Sequence, residues 1–223
     1  GSHDLVVAWM ATHFQDFAAG YRLHLSFSGS VSGLLALAEN KCTIAGSHIL
    51  DSQTGTYNLP ILRSLFPNDK LTLITLAQRH LGLMIKKGNP KSIHQISDLV
   101  REDVVFINRH SGSGTRVFID SELSKLDIDS ARIKGYQNQK RTHSEVATEI
   151  EQGLADVGVG LEAAAISSGL DFIPLTLEKY DLIVKADVFS TPPIQKMLEW
   201  IKSHEFVSLL NHFGGYESSL SGN

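Results

Sequence analysis

Three strand-to-helix turns carry the residue types that bind anions. The first, Asn108-Arg109-His110-Ser111-Gly112-Ser113-Gly114-Thr115-Arg116, follows the apolar run Val104-Val105-Phe106-Ile107 and leads into a helical stretch over 117–126. Glycine lets the backbone turn tightly and approach a guest closely. The first amides of the following helix lack intrahelical acceptors and sit at the positive end of its dipole, with Gly114 a candidate contact just ahead of them. The hydroxyls of Ser111, Ser113 and Thr115 add neutral donors, so the turn reads as a cradle for a carboxylate, a phosphate or a tetrahedral oxyanion. Capping by one serine accounts for a single hydroxyl; the crowding of small polar residues around two glycines goes beyond that. Arg116, on the same helix, either adds charge to the cradle or faces solvent.

The second turn, Phe27-Ser28-Gly29-Ser30-Val31-Ser32-Gly33, has the same design, with Ser28 and Ser30 as candidate donors. Alone it is also what a serine cap looks like, and the argument rests on its recurrence. The third is Thr142-His143-Ser144-Glu145-Val146-Ala147. Thr142 and Glu145 fit a capping box, while His143, Ser144 and Glu145 are also candidate ligand contacts, and the two readings coexist.

Reaction machinery is not legible. Gly112-Ser113-Gly114 lacks the Gly-x-Ser-x-Gly frame of a nucleophile elbow, and Gly46-Ser47-His48 offers no ordered base. None of the ten histidines pairs at the His-x-x-x-His spacing of a helical zinc site. The single cysteine, Cys42, excludes an internal disulfide and a cysteine-based zinc site and reads as a small buried residue. The expectation is a binding protein without cofactor or metal, not an enzyme.

The elements that must position these turns alternate between short apolar runs and helical stretches, as α/β folds do. Helical spacing covers 5–19, 31–39, 117–126, 144–153, 161–168 and 195–210, with a short helix at Ser97-Asp98-Leu99. Strands are expected at 22–27, 44–49, 71–77, 81–85, 104–107, 133–136, 157–160, 172–175 and 180–184, with Gln78-Arg79-His80 breaking one pair. With 223 residues, 42% hydrophobic, the chain is long enough for one large or two small domains. A formal charge of -4 and the lack of a basic cluster argue against nucleic-acid contact. No apolar run approaches the roughly 20 residues that span a bilayer, so no membrane insertion is expected. Without a signal peptide the cytoplasm is favoured over the periplasm. The opening Gly1-Ser2-His3 reads as a purification-tag remnant.

Together these segments resemble the periplasmic-binding-protein-like domain related to bacterial molybdate-binding proteins, the type fused to helix-turn-helix regulators or molybdopterin molybdotransferases. The resemblance is carried by Gly29-Ser30-Val31-Ser32-Gly33, Ile44 through Asp51, Lys87-Gly88-Asn89-Pro90 and Ser111-Gly112-Ser113-Gly114-Thr115-Arg116. It continues through Thr142 to Ala147, Gly169-Leu170-Asp171-Phe172-Ile173-Pro174-Leu175 and Glu178-Lys179-Tyr180-Asp181-Leu182.

It implies an α/β, type II periplasmic-binding-protein-like fold of two lobes with a central cleft and two crossover strands. Lobe one is expected at 1–79 plus 184–223 and lobe two at 80–183. It implies that Gly1-Ser2-His3-Asp4 is a native first-strand exit loop rather than a tag remnant, in which case Ser2 belongs to the site, and a small oxyanion, molybdate or tungstate, held by Ser2, Ser28 or Ser30, Ser113 with Thr115, and the turn from His143 to Glu145. Leu161 or Glu162 falls near where molybdate-binding relatives place a tyrosine, and that departure leaves room for a larger or different ligand. The alternatives are a small organic anion or the effector-binding part of a transcriptional regulator. The implied partner is an ABC transporter permease or a fused regulatory domain.

Overall fold

Fifteen consecutive residues, Leu71–Ile85, form one unbroken strand, although Gln78-Arg79-His80 reads as an interruption. In the computed structural model, which describes residues 1–51 and 54–223, the chain runs α1 (Leu5–Phe17), α2 (Ser30–Ala38), β1 (Ile44–Ser47), α3 (Leu59–Leu65), β2 (Leu71–Ile85), β3 (Phe106–Arg109), α4 (Gly114–Lys125) and β4 (Gln139–Lys140). It continues with α5 (His143–Glu151), β5 (Val157–Leu161), α6 (Glu162–Ser167), β6 (Asp171–Lys185), α7 (Ala186–Phe189), α8 (Pro192–Ile201), α9 (His204–Phe213) and β7 (Tyr216–Glu217). Two compact units result: Gly1–Arg79 with Glu178–Asn223, and His80–Leu177. The chain passes from one to the other within β2 and returns within β6.

In the first unit β1 pairs antiparallel with β6, from Ile44 opposite Val184 to Ser47 opposite Asp181. β7 pairs with β2 through Gln78 opposite Glu217 and Arg79 opposite Tyr216. That pairing explains why β2 does not break at Gln78: the backbone has an extended partner there. Val6, Val7, Met10 and Phe14 recur at helical spacing and form the buried face of α1, whose start is fixed by Asp4 accepting from the Val7 amide at 2.9 Å. Leu34, Leu37, Ala45, Leu62, Phe66 and Ile183 make a core between α2, β1, α3 and β6. Cys42 lies at the edge of this core, only partly buried, with Sγ 3.8 Å from the Gly33 carbonyl.

In the second unit β5 lies between β2, which it meets antiparallel, and β3, which it meets parallel; β4 extends β3 in parallel. Leu81, Leu83, Ile85, Phe106, Ile119, Leu123, Val157, Val159 and Leu161 are among its buried core residues.

Several expected elements differ. Residues 22–27 alternate like a strand but form none; most are exposed, and the backbone bonds nearby run from Gly1 to the Ser26 carbonyl and from Ser28 and Gly29 to the Gly1 carbonyl. Residues 133–136 are a turn following a short 3-10 helix: the Lys134 carbonyl accepts from the Phe106 amide of β3, but Gly135 takes a positive φ and the Tyr136 amide closes back onto the Ile133 carbonyl, so no ladder extends there. The expected strands at 172–175 and 180–184 are a single strand, β6. The closing helix is two: Ser203 interrupts it and caps α9, accepting from the Phe206 amide at 3.2 Å.

Candidate functional site

In the first unit, three loops bring Ser2, Ser30 and His48 together. The Ser2 amide donates to the Gly46 carbonyl at 2.9 Å, while the Ser28 and Gly29 amides donate to the Gly1 carbonyl at 3.0 and 3.1 Å. This stitches the segment before α1 between the end of β1 and the start of α2. The approach is close enough that a Cβ on Gly33 would stand 2.6 Å from the Gly1 Cα, so only glycine fits at that position of α2. Ser2 and Ser30 are buried, whereas Ser28 is exposed. No side chain caps α2. The Ser30 hydroxyl accepts from the His48 amide at 3.4 Å.

Behind these loops lies a chain of buried ionisable groups. Ser2 Oγ is 2.8 Å from His48 Nε2, and His48 Nδ1 is 2.8 Å from Glu178 Oε2. Glu178 also pairs with Arg79. The Arg79 guanidinium lies 4.4 Å over the Tyr180 ring and bonds Asp4 Oδ2 at 2.9 Å. Tyr216 donates to the same Asp4 oxygen at 3.0 Å, and Tyr180 donates to the Ser2 carbonyl at 2.8 Å. Burial alone would raise the Glu178 pKa, but Arg79 and then His48 outweigh it and hold the carboxyl at about 2. Burial, with Asp4 adding to it, pushes the Tyr180 and Tyr216 phenols upward, so both are neutral donors. A separate polar knot, in which Asn58 bonds Ser47 and Asp181, fixes the far side of β1.

In the second unit, β3 ends at Arg109 and the chain turns through His110–Ser113 into α4. Ser113 is fully buried and caps α4, its Oγ accepting from the Arg116 amide at 3.1 Å. An oxygen that accepts from the cap still has its own proton to donate elsewhere. Two residues on, Thr115 is 1% exposed, and among the described residues its Oγ1 has no hydrogen-bond partner. A buried hydroxyl in that state ordinarily costs stability. Its position beside Gly114 in the first turn puts it among the helix amides that attract anions. Arg109, which the sequence reading did not single out, is also buried here; burial and then its charge lower the pKa of His110, while for Glu145 burial pushes upward and is outweighed by the Thr142 and Arg141 amides together with the Arg109 charge.

The remaining sequence candidates sit as follows. Arg116 turns along α4, its Nε 3.0 Å from Asp120 Oδ1 and its guanidinium 4.3 Å over the Tyr136 ring. A hollow of about 460 Å³ on that flank is lined by Asp120, Asp127, Asp129 and Tyr136 among others, and its carboxylates disfavour an anion. Glu145 completes the capping box: its carboxylate accepts from Arg141 and Thr142 amides at 2.7 and 3.0 Å, and Thr142 accepts from the Glu145 amide at 3.1 Å. His143 is buried against β5, 3.3 Å from where a Cβ on Gly160 would stand. Ser144 is half-buried, its carbonyl accepting from Thr148. Leu161 belongs to the apolar core. Among the described residues no group of three His, Cys, Asp or Glu is placed to hold a metal ion, and no helix is long and apolar enough to cross a membrane.

Mixed α/β units joined by two passages of the chain, with buried hydroxyls at helix starts, define a type II periplasmic-binding-protein-like fold. Residues 11–202 match the PBP superfamily domain, and the chain belongs to that family. The uncharacterized protein YvgK of Bacillus subtilis (strain 168) is 35% identical over 196 residues, 88% of this chain and 63% of that protein. The chain therefore spans less than two thirds of that relative.

Among solved structures, a putative phosphate ABC transporter substrate-binding protein from Clostridium perfringens, with bound phosphate, superposes with a TM-score of 0.67 at 13% identity, covering 95% of this chain and 93% of that one. The CcmR regulatory domain of Synechocystis PCC6803, in complex with 2-PG, gives 0.64 at 14% identity over 87% and 88%. The substrate binding domain of a putative molybdenum ABC transporter from Clostridium difficile gives 0.57 at 16% identity over 95% and 92%. At these identities the likeness is one of fold. The family and these neighbours are binding proteins and a regulatory domain.

Proposed function

We propose that this chain binds a small tetrahedral oxyanion, molybdate or tungstate first, as a solute-binding or sensor domain. The observation that carries the reading is Thr115: a buried hydroxyl without a hydrogen-bond partner among the described residues, in the first turn of a 12-residue helix capped by Ser113. Neutral hydroxyls and amides replace the hydration shell of a doubly charged anion without a counter-charge in contact. Ser2 and Ser30 in the first unit supply donors of the same kind. The phosphate- and molybdenum-related neighbours support an oxyanion of this size. The partner is then a transporter permease or a regulatory domain fused to or associated with the chain.

Calorimetric titration with molybdate, tungstate, sulfate and phosphate tests it. Tight binding of the first two is expected, weakened about ten- to a hundredfold by Ser113→Ala or Thr115→Val, the loss of one hydrogen bond to a charged group. Additivity of Ser30→Ala with Ser113→Ala reads whether both hydroxyls serve one anion. A second reading, a small organic anion sensed by a regulator, is favoured by the regulatory-domain neighbour bound to 2-PG. Absence of heat with all four inorganic anions and binding of a phosphorylated organic acid would establish it instead.

A further inference from the structure

We propose that Tyr216, on the short strand β7, is a positioning residue for anion binding: through Asp4 it fixes the loop that presents the Ser2 hydroxyl. The inference rests on the oxyanion-binding reading, in which Ser2 is one of the donors, and concerns the same site.

Asp4 is the joint. Its Oδ1 accepts from the Val7 amide at 2.9 Å and so sets where α1 begins. Its Oδ2 accepts from Arg79 Nη1 at 2.9 Å and from the Tyr216 hydroxyl at 3.0 Å. Both oxygens are held, and the carboxylate cannot rotate without giving up a charge-assisted hydrogen bond. Ser2 lies two residues before Asp4, in a stretch that is neither helix nor strand. Its placement therefore depends on what grips the chain on either side. The Ser2 amide reaches the Gly46 carbonyl at 2.9 Å, and the Ser2 carbonyl accepts from Tyr180 at 2.8 Å. On the helix side the anchor is Asp4.

The phenol is itself placed by main chain. β7 is two residues long, with Tyr216 opposite Arg79 and Glu217 opposite Gln78 on β2. The residue paired with Tyr216 is thus the one that shares Asp4 with it. A backbone pair and two side-chain bonds to one carboxylate close a ring. The chain then runs on beside β2. Ser219 Oγ donates to Gln78 Oε1 at 3.3 Å, Ser221 Oγ to the Leu76 carbonyl at 2.7 Å, and the Gly222 amide to the Thr75 carbonyl at 2.8 Å. Upstream, Gly214 and Gly215 take φ of 69° and 68°, the left-handed backbone that reverses the chain between α9 and β7. The segment is a strap clipped along β2, and from it Tyr216 reaches inward, buried, to the Asp4 carboxylate.

A hydroxyl bonded to Asp4 stabilises the start of α1 whatever Ser2 does. The short irregular link from Asp4 to Ser2 is what extends its effect to the ligand. A hydrogen bond weakens steeply as its donor swings out of line, so a binding hydroxyl needs a supporting shell that holds it still.

The test uses the full chain, titrated with molybdate and sulfate by calorimetry. Tyr216→Phe keeps the ring, removes the hydroxyl and leaves Arg79 on Asp4, so the chain should stay folded. Affinity should fall about three- to tenfold, the range for residues that modulate a site without touching its ligand. In a Ser2→Ala background the same change should cost no further affinity, because the donor it places is gone. Unchanged affinity in Tyr216→Phe, or an equal loss with and without Ser2, overturns the proposal; a role in stability alone would lower the urea midpoint and give one of those two results. Amide hydrogen exchange of the ligand-free chain is the second measurement. Protection of the Ser2 and Val7 amides should drop in Tyr216→Phe, and unaltered protection overturns the proposal as well. Failure of molybdate, tungstate, sulfate and phosphate alike to bind the wild type overturns the oxyanion reading, while the exchange data still decide whether Tyr216 holds the loop.

Discussion

Glu178 Oε2 lies 2.8 Å from His48 Nδ1 across 130 residues of sequence, and its other oxygen pairs with Arg79. This carboxylate joins the end of β1 to β2 and β6 inside one unit, and its ionisation is part of the fold.

Acid should therefore loosen the protein. Burial pushes the Glu178 pKa up, but Arg79 and His48 pull it from 4.5 to about 2. A carboxyl held lower in the folded chain than in the unfolded one stabilises fully above the unfolded value and loses that contribution as pH falls through the folded one. The window is thus from 4.5 down to about 2, and the contribution is about 3 kcal/mol. Urea midpoints across that range should fall steeply for the wild type; Glu178→Gln should be less stable at neutral pH and flatter in acid.

Replacing Arg79 by methionine should be more damaging than acid. Arg79 is fully buried between Asp4 and Glu178, and Arg79→Met removes the cation that both carboxylates share. Removing one partner of a buried ion pair costs about 3–5 kcal/mol, measurable as a lowered urea midpoint. The triple variant with Asp4→Asn and Glu178→Gln should regain much of that loss, because it removes the stranded charges as well.

These groups illustrate what sequence could and could not show. The Ser113 cap and the Thr142–Glu145 capping box were legible because each is local: donor and acceptor are three residues apart, and helix geometry brings them together. The α/β alternation was legible for the same reason. The ion cluster was not, since Asp4, His48, Arg79 and Glu178 come from four separate segments and meet only through packing. Arg79 even obscured the fold, for an arginine amid Leu76, Ala77 and Leu81 resembles a break rather than a strand with a buried charge. Arg109 closes the buried run of β3 just before the turn into α4, and that place in the sequence was the available signal for it.

Leu161, expected from sequence as a candidate ligand position, contributes to the apolar core beside Leu81 and Val159. Leu161→Ala should cost about 2–5 kcal/mol through lost burial and the cavity left behind. Denaturation of the variant checks this, and a loss below that range would place the side chain outside the core.

The narrowest fit in the first unit is at Gly46, where an added Cβ would collide with the Tyr180 hydroxyl. Tyr180 is held on two sides, by Arg79 over its ring and by the Ser2 carbonyl at 2.8 Å, so it has little freedom to withdraw. Gly46→Ala should push the phenol off Ser2, costing about 1–3 kcal/mol by overpacking, and should also shift Ser2 relative to His48. Pairing it with Tyr180→Phe removes the colliding oxygen. Stability should then recover in the double variant relative to Gly46→Ala alone, and a thermal melt comparing the four combinations reads that coupling. If the two effects merely add, the contact between Gly46 and Tyr180 is not what constrains the Ser2 loop.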